Sequence, residues 1–283
     1  MKTLLVSLVS DQTIPNVQFI KEMKDKVTDY LFISTKKMEK KGTRGWIEKA
    51  SRIESTDEPI IVDEFSYEDI QEKLDGYNFQ QYEKIIVNLT GGTKVMTIAT
   101  HDYFKEEGAE IYYVTGFDKK YLKIFPGKRK GEYKLKKSIS VEEYLIAYGF
   151  NIERVEKHHV DKDITTAMFN FFISELFKKH SKTISSLREY RSKGVKKKDY
   201  TAEVQSLVDA VGMKPKNENT LTSNEVKFLT GEWFEQYVYY GVKSSFELDD
   251  DKIMMGVTLS KEVSDTSKEI VEDLLAVNDV QPT

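Results

Sequence analysis

Short apolar runs recur along the first part of this chain, at residues 4–9, 31–33, 60–62, 85–87 and 111–114, and stretches of helical periodicity separate them. Continuous apolar runs, unlike alternating ones, suit strands covered on both faces. Parallel strands joined by right-handed helical crossovers build an open, doubly wound, Rossmann-like α/β sheet. The helices between them are legible too. Residues 15–27 place Phe19, Ile20, Met23 and Val27 on one face, 36–52 form a charged helix loosened at Gly42 and Gly45, and 67–74 and 93–104 follow. Residues 121–125 and 133–135 add an edge hairpin. In such a sheet, ligands bind at the carboxyl ends of the strands.

Two polar turns fall at those ends. The strand at 85–87 leads into Asn88-Leu89-Thr90-Gly91-Gly92-Thr93-Lys94 and then directly into a helix. Gly91 and Gly92 let the backbone approach a ligand, Thr90 and Thr93 offer hydroxyls, and the new helix presents free N–H groups. The first strand ends in Ser10-Asp11-Gln12-Thr13-Ile14-Pro15-Asn16, where Gln12 and Thr13 offer hydrogen bonds to a base edge or ribose. Asn88 is placed to brace the neighbouring loop. The plainer alternatives are that the glycines serve a tight connection and that Ser10, Thr13 and Asn16 only cap a helix. A Walker A loop needs glycines around four residues before Gly-Lys-Ser/Thr; here Lys94 follows Thr93, which disfavours ATP hydrolysis by that route.

Composition narrows the classes. A formal charge of −4 over 283 residues argues against a general nucleic-acid coat, and the absence of cysteine excludes disulfides, zinc thiolates and thiol nucleophiles. No run approaches the ~20 apolar residues that span a bilayer. The N-terminal apolar run is short and meets polar turn residues at once, so it reads as a buried strand rather than a signal peptide. The expectation is a soluble, cytoplasmic protein with no membrane partner.

Beyond the hairpin, Ser140-Val141-Glu142-Glu143 has capping-box spacing and starts a helix that Gly149 can end. The chain then changes character. Residues 164–180 read as a helix with Met168, Phe169, Phe172, Leu176 and Phe177 inward, 193–198 as a basic loop, and 200–211 as another helix. Residues 214–224 read as a polar link, 225–243 as a helix with a Trp233, Phe234 and Tyr237 core stripe, and 253–259 as a strand. An acidic end follows from Lys261, with an apolar patch at Leu274-Leu275-Ala276-Val277.

Taken together, the two turns resemble those of the CARF domain, the sensor of type III CRISPR accessory proteins. The segment Thr230-Gly231-Glu232-Trp233-Phe234-Glu235-Gln236-Tyr237-Val238-Tyr239 resembles the first helix of the nuclease domain in cyclic-oligoadenylate-activated CRISPR ancillary DNases and RNases. The resemblance implies a ligand-sensing domain over 1–148, a helical linker over 149–225, and the N-terminal part of a restriction-endonuclease-like domain over 226–283. It also implies a homodimer that binds cyclic tetra-adenylate across its two-fold axis, with cyclic hexa-adenylate as the second choice. Ser10, Gln12 and Thr13 would contact adenine and ribose, with Ile14 beside them. Gly91, Gly92, Thr93 and Lys94 would hold phosphate, flanked by Asn88 and Thr90, and the Thr35-Lys36 and Thr115-Gly116 turns would form the rim.

One departure from the family pattern matters. That nuclease fold needs a helix carboxylate, an Asp ending one strand and a Glu-x-Lys on the next, to hold Mg or Mn. Glu235 fits the helix position. Glu225-Val226-Lys227 lies upstream, and Asp279 stands four residues from the end. The expectation is therefore an incomplete catalytic core, with Mg or Mn and a DNA or RNA substrate belonging only to an intact nuclease. Three rivals stand beside this reading. One is a sensor that cleaves its own ring through Ser10 or Thr13 and Lys94, another a transcription regulator with a helix-turn-helix within 160–243, and the third an interaction module. His158-His159, Lys128-Arg129-Lys130 and Lys196-Lys197-Lys198 read as solvated loops, and His101 as a surface or partly packed residue.

Overall fold

The computed structural model describes residues 2–116, 119–127, 131–155, 160–193, 197–199 and 201–261. His158, His159, the 128–130 basic run, Lys196 and Asp279 lie outside them. The chain divides into two compact units, one running to Glu153 and resuming at Leu259, the other Arg154–Thr258.

The first unit opens with β1 (Thr3–Leu8), α1 (Ile14–Met23), β2 (Asp29–Ser34), α2 (Lys36–Lys41), α3 (Thr43–Ser51), β3 (Ile60–Ile61) and α4 (Tyr67–Asp75). It continues with β4 (Lys84–Asn88), α5 (Lys94–Glu106), β5 (Glu110–Thr115), β6 (Lys120–Phe125), β7 (Gly131–Lys134), α6 (Val141–Ala147) and β8 (Phe150–Val155). Seven strands form one sheet in the order β3-β2-β1-β4-β5-β6-β7. The first five are parallel, and β6 and β7 add an antiparallel edge. The expected doubly wound α/β sheet is therefore present.

The strands alternate between two cores, as a period-two pleat requires. Leu4, Val6, Leu8, Leu31, Ile33, Val87 and Ile111 face α4 and α5, where Ile70, Leu74, Met96 and Phe104 close the layer. Leu5, Phe32, Ile86 and Tyr112 face the other way, against Phe19 and Ile20 of α1, Ile47 of α3 and Ala147 of α6. Each fully buried Leu, Ile, Val, Phe or Met among them contributes about 1.5–3 kcal/mol of transfer free energy. The helix expected over 36–52 is two helices. Gly42 sits in the left-handed region at φ +83°, a conformation glycine adopts without strain, and ends α2 there, while Gly45 stays inside α3. The Ser140–Glu143 capping box is formed in both directions.

The second unit holds α7 (Lys162–Ile173), α8 (Glu175–Ser192), β9 (Lys197–Asp199), α9 (Ala202–Val211), β10 (Thr220–Thr222), α10 (Ser223–Lys227) and α11 (Trp233–Ser245). Its core joins Met168, Phe171, Ile184 and Leu187 to Val204, Leu207, Val208, Leu221, Phe228 and Trp233. It thus draws on both the stretch expected as linker and the stretch expected to begin a nuclease. The single helix expected over 164–180 breaks at Ser174. That residue is extended, caps α8 by accepting from Leu176 N at 3.2 Å, and donates to Phe171 O at 2.7 Å. The helix expected over 225–243 is interrupted by a π-helical turn at Phe228–Glu232. The expected basic loop and polar link each contain a short strand, and β9 pairs with β10 in antiparallel fashion. β11 (Val257–Lys261) pairs with β8. Of the expected core stripe, Trp233 is buried and Tyr237 stacks on Phe169 at 4.2 Å, but Phe234 is 52% exposed. Gln236 takes the buried place instead and accepts from Val160 N at 2.7 Å.

Candidate ligand-binding cleft at the switch point

β1 has β2 on one side and β4 on the other, so the strand order reverses there. Loops leaving neighbouring strands toward opposite faces open a crevice at such a point, beyond the carboxyl ends. The Ser10–Asn16 turn follows β1 and the Asn88–Lys94 turn follows β4, so the fold brings both expected turns to one place.

They pack closely. Gly91 adopts φ +127°, and a Cβ there would lie 2.8 Å from Leu8 O and 3.1 Å from Ser10 Oγ. Only a residue without a side chain lets the second turn lie on the first. Gly92, at φ +66°, would place a Cβ 3.2 Å from both Cβ and Sδ of Met96.

A buried chain of amide hydrogen bonds fixes the strand ends beneath. Asn16 Nδ2 donates to Leu8 O at 2.8 Å, and Asn88 Nδ2 donates to Asn16 Oδ1 at 2.7 Å. Asn88 Oδ1 accepts from Thr90 N at 3.0 Å, and Thr90 Oγ1 accepts from Val114 N at 2.6 Å. Both asparagines are fully buried, so every link replaces a lost hydration bond. The network joins the ends of β1, β4 and β5 to α1.

Two neighbouring cavities lie over this floor. The larger, about 630 Å³, is lined by Ser10, Gln12, Gly91, Lys94, Ile98 and Tyr113 among others. The smaller, about 250 Å³, is lined by Val9, Thr35, Met38, Phe65, Thr93 and Met96, and the two share Ser10, Asp11 and Gly92. Lys94 is exposed at the first position of α5 and forms no ion pair among the described residues. Its ammonium therefore sits at the positive end of a helix dipole. Asp11 is paired with Lys41 at 2.5 Å, so the carboxylate on the rim is matched by a cation. Amides, the lysines Lys94 and Lys37, which form no ion pair among the described residues, and small polar side chains make this cleft suited to an anionic ligand with polar edges.

Several expected residues have other work. Thr13 is fully buried and donates to Ala147 O at 2.6 Å, tying α1 to the end of α6, and its side chain makes no cap to α1. Neither a ribose contact nor the capping alternative describes it. Ile14 is half-buried and packs against the α1-side core. Thr35 and Thr93 cap their helices, accepting from Met38 N and Met96 N at 3.2 Å, and Thr93 also donates to Glu64 O at 2.6 Å. Asn88 and Thr90 hold the floor. Ser10, Gln12, Gly91, Gly92 and Lys94 face the cleft, and Thr35, Thr90 and Thr93 line it while also holding the fold. Sequence reading missed Phe65, Ile98 and Tyr113, which are exposed apolar residues on its walls. Their signal in the sequence was weak because each sits singly in a loop, helix or strand whose other residues explain it. His101 is half-buried beside Asp102 at 3.0 Å. Glu235 is exposed on α11, and among the described residues no three acidic or histidine side chains gather as a metal site.

Fold and cleft define a Rossmann-like α/β protein with a polar crevice at its switch point. Residues 4–144 match the family model of the Card1 CARF domain, and the chain belongs to the CARF-domain proteins of type III CRISPR systems. No curated protein matches the sequence. Among solved structures, the chain is similar to Can2 from Sulfobacillus thermosulfidooxidans in complex with cyclic tetra-adenylate, with a TM-score of 0.64 at 21% identity, over 92% of this chain and 73% of that one. It is also similar to protein VC1899 from Vibrio cholerae, with a TM-score of 0.66 at 12% identity and the same coverage. At these identities the likeness is one of fold.

Proposed function

We propose that this chain is a cyclic oligoadenylate sensor of type III CRISPR defence, with cyclic tetra-adenylate as its ligand. It works as a cytoplasmic homodimer in which each protomer contributes the same cleft to half of the ring. An isologous pair suits a ligand with its own two-fold symmetry. The observation that carries this reading is the packing of Gly91 against Leu8 O and Ser10, which joins an anion-binding turn to a polar turn at one switch point. Backbone amides of the Gly91-Gly92 turn and the Lys94 ammonium hold phosphate, while Ser10 and Gln12 meet ribose or base edges. Binding draws the protomers together, and that motion is passed to a C-terminal effector. In this reading residues 1–148 are the sensing domain, and the segment expected to connect, 149–225, shares one core with the effector portion that begins near 226, so the two act as one body. Glu235 is the helix carboxylate that a metal-dependent nuclease with a DNA or RNA substrate would use with Mg or Mn, and among the described residues it gathers no metal site.

Isothermal titration with cyclic tetra-adenylate tests the reading, with the hexa-adenylate ring and ATP as controls. The expected result is saturable binding of one tetra-adenylate ring per two chains, with both controls weaker. Binding of neither ring would overturn it, and one ring per chain would remove the shared site.

A further inference from the structure

The larger cavity accounts for phosphate, but the smaller one has a different chemistry. Val9, Met38, Phe65 and Met96 give it apolar walls, Lys37 and Glu64 stand among its lining residues, and it shares Ser10, Asp11 and Gly92 with the larger cavity. A ligand seated on the Gly91-Gly92 turn therefore lies beside it. Phe65 is 76% exposed, yet its backbone is closely held. Phe65 N donates to Asp63 Oδ1 at 3.0 Å, and Asp63 N donates to Asp69 Oδ2 at 2.8 Å. The next carbonyl back, Glu64 O, accepts from Thr93 Oγ1 at 2.6 Å. The loop that carries the ring is thus fastened to the residue that caps α5 behind the phosphate turn.

A phenylalanine left in water adds nothing to the core. Held in place by a braced loop, it presents a flat apolar face at little ordering cost, and a nucleobase stacks on such a face. Met38 and Met96 are buried in the same cavity, and thioethers pack well against aromatic rings. Gly92 leaves Met96 room at 3.2 Å, so both glycines of the turn serve the cleft in different ways.

We infer that the cavity lined by Val9, Met38, Phe65 and Met96 receives an adenine base of the ring, and that Phe65 is its stacking platform and a positioning residue for the ligand. This rests on the cyclic-oligoadenylate reading. Thr93 then couples base and phosphate recognition, because one hydroxyl holds both the Phe65 loop and the start of α5.

The test compares Phe65→Ala, Phe65→Tyr and Phe65→Trp in the full chain. Phe65→Ala is expected to weaken binding of cyclic tetra-adenylate by roughly 10–100-fold, while Phe65→Tyr stays within about threefold of the parent. Thermal unfolding of the Ala variant should match the parent, since the ring is exposed. In Phe65→Trp the new indole is exposed whereas Trp46 and Trp233 are each only 7% exposed, so ring addition should quench its emission selectively. Unchanged affinity in Phe65→Ala and unmoved emission in Phe65→Trp, with the parent binding the ring, would overturn this inference alone. If the parent fails to bind the ring but AMP saturably quenches Phe65→Trp, the base pocket stands and the sensor reading falls. If neither occurs, both are overturned.

Discussion

The cleft depends on residues whose contribution lies in what they lack or what they bury. Gly91 is the clearest case. Alanine there would face both an unfavourable φ and a carbonyl oxygen at 2.8 Å, so Gly91→Ala must push the two turns apart. It is expected to abolish measurable ring binding while Lys94→Ala only weakens it, and calorimetry on the two variants checks that order. Asn88 acts by burial. Asn88→Leu removes the donor to Asn16 Oδ1 and the acceptor for Thr90 N, leaving two buried groups unpaired at about 1–3 kcal/mol each. Urea unfolding should show a loss of ~2–6 kcal/mol, against a change within a few tenths for the exposed Gln12→Ala. The glycines were legible in the sequence because a Gly-Gly pair between a strand and a helix has few uses. The roles of Thr13 and Asn16 were not, because a hydroxyl or amide after a strand looks the same whether it meets a ligand, a helix amide or a distant carbonyl.

At the scale of elements, β5 is strapped to both neighbours through Glu110. Its carboxylate accepts from Lys123 Nζ of β6 at 2.8 Å and from Tyr112 OH at 2.8 Å, and pairs with Lys84 of β4 at 3.0 Å. Burial pushes this group upward, but those three donors outweigh it and bring the pKa from an ordinary 4.5 down to about 2. A carboxylate more acidic in the folded state stabilises the fold above its unfolded pKa and loses that contribution as pH falls through the folded value. The stability gap between the parent and Glu110→Gln should therefore be full above about pH 5 and shrink toward pH 2 in thermal melts. A constant gap would mean that the straps carry no charge-dependent stability. Element boundaries were legible where chemistry marks them, as at the Ser140–Glu143 capping box. The break at Ser174 was hidden because the apolar pattern runs on from Phe172 to Leu176 and Phe177 across it. The break at Phe228–Glu232 was hidden for the same reason, since Phe228, Leu229 and Trp233 all belong to the core.

For the whole molecule, the parallel sheet and its binding edge could be read from five apolar runs, because strands covered on both faces leave little freedom of arrangement. The second unit was less readable. Its core is assembled from helices and short strands far apart in sequence, and no local period announces which of them pack together. The two units each carry one tryptophan, Trp46 in the first and Trp233 in the second, so each can be followed on its own. A ligand that binds only the folded first unit stabilises it by about 2.7 kcal/mol at a free concentration of 100 times Kd. For a unit of this size that is a rise of roughly 5–10 °C in melting temperature. With Trp233→Phe, emission from Trp46 should report that rise when cyclic tetra-adenylate is added. With Trp46→Phe, emission from Trp233 should report a smaller gain in unfolding free energy, because the second unit gains only the part that coupling transmits. A larger free-energy gain at Trp233 than at Trp46 would place the ring on the second unit and remove the switch-point cleft from the mechanism.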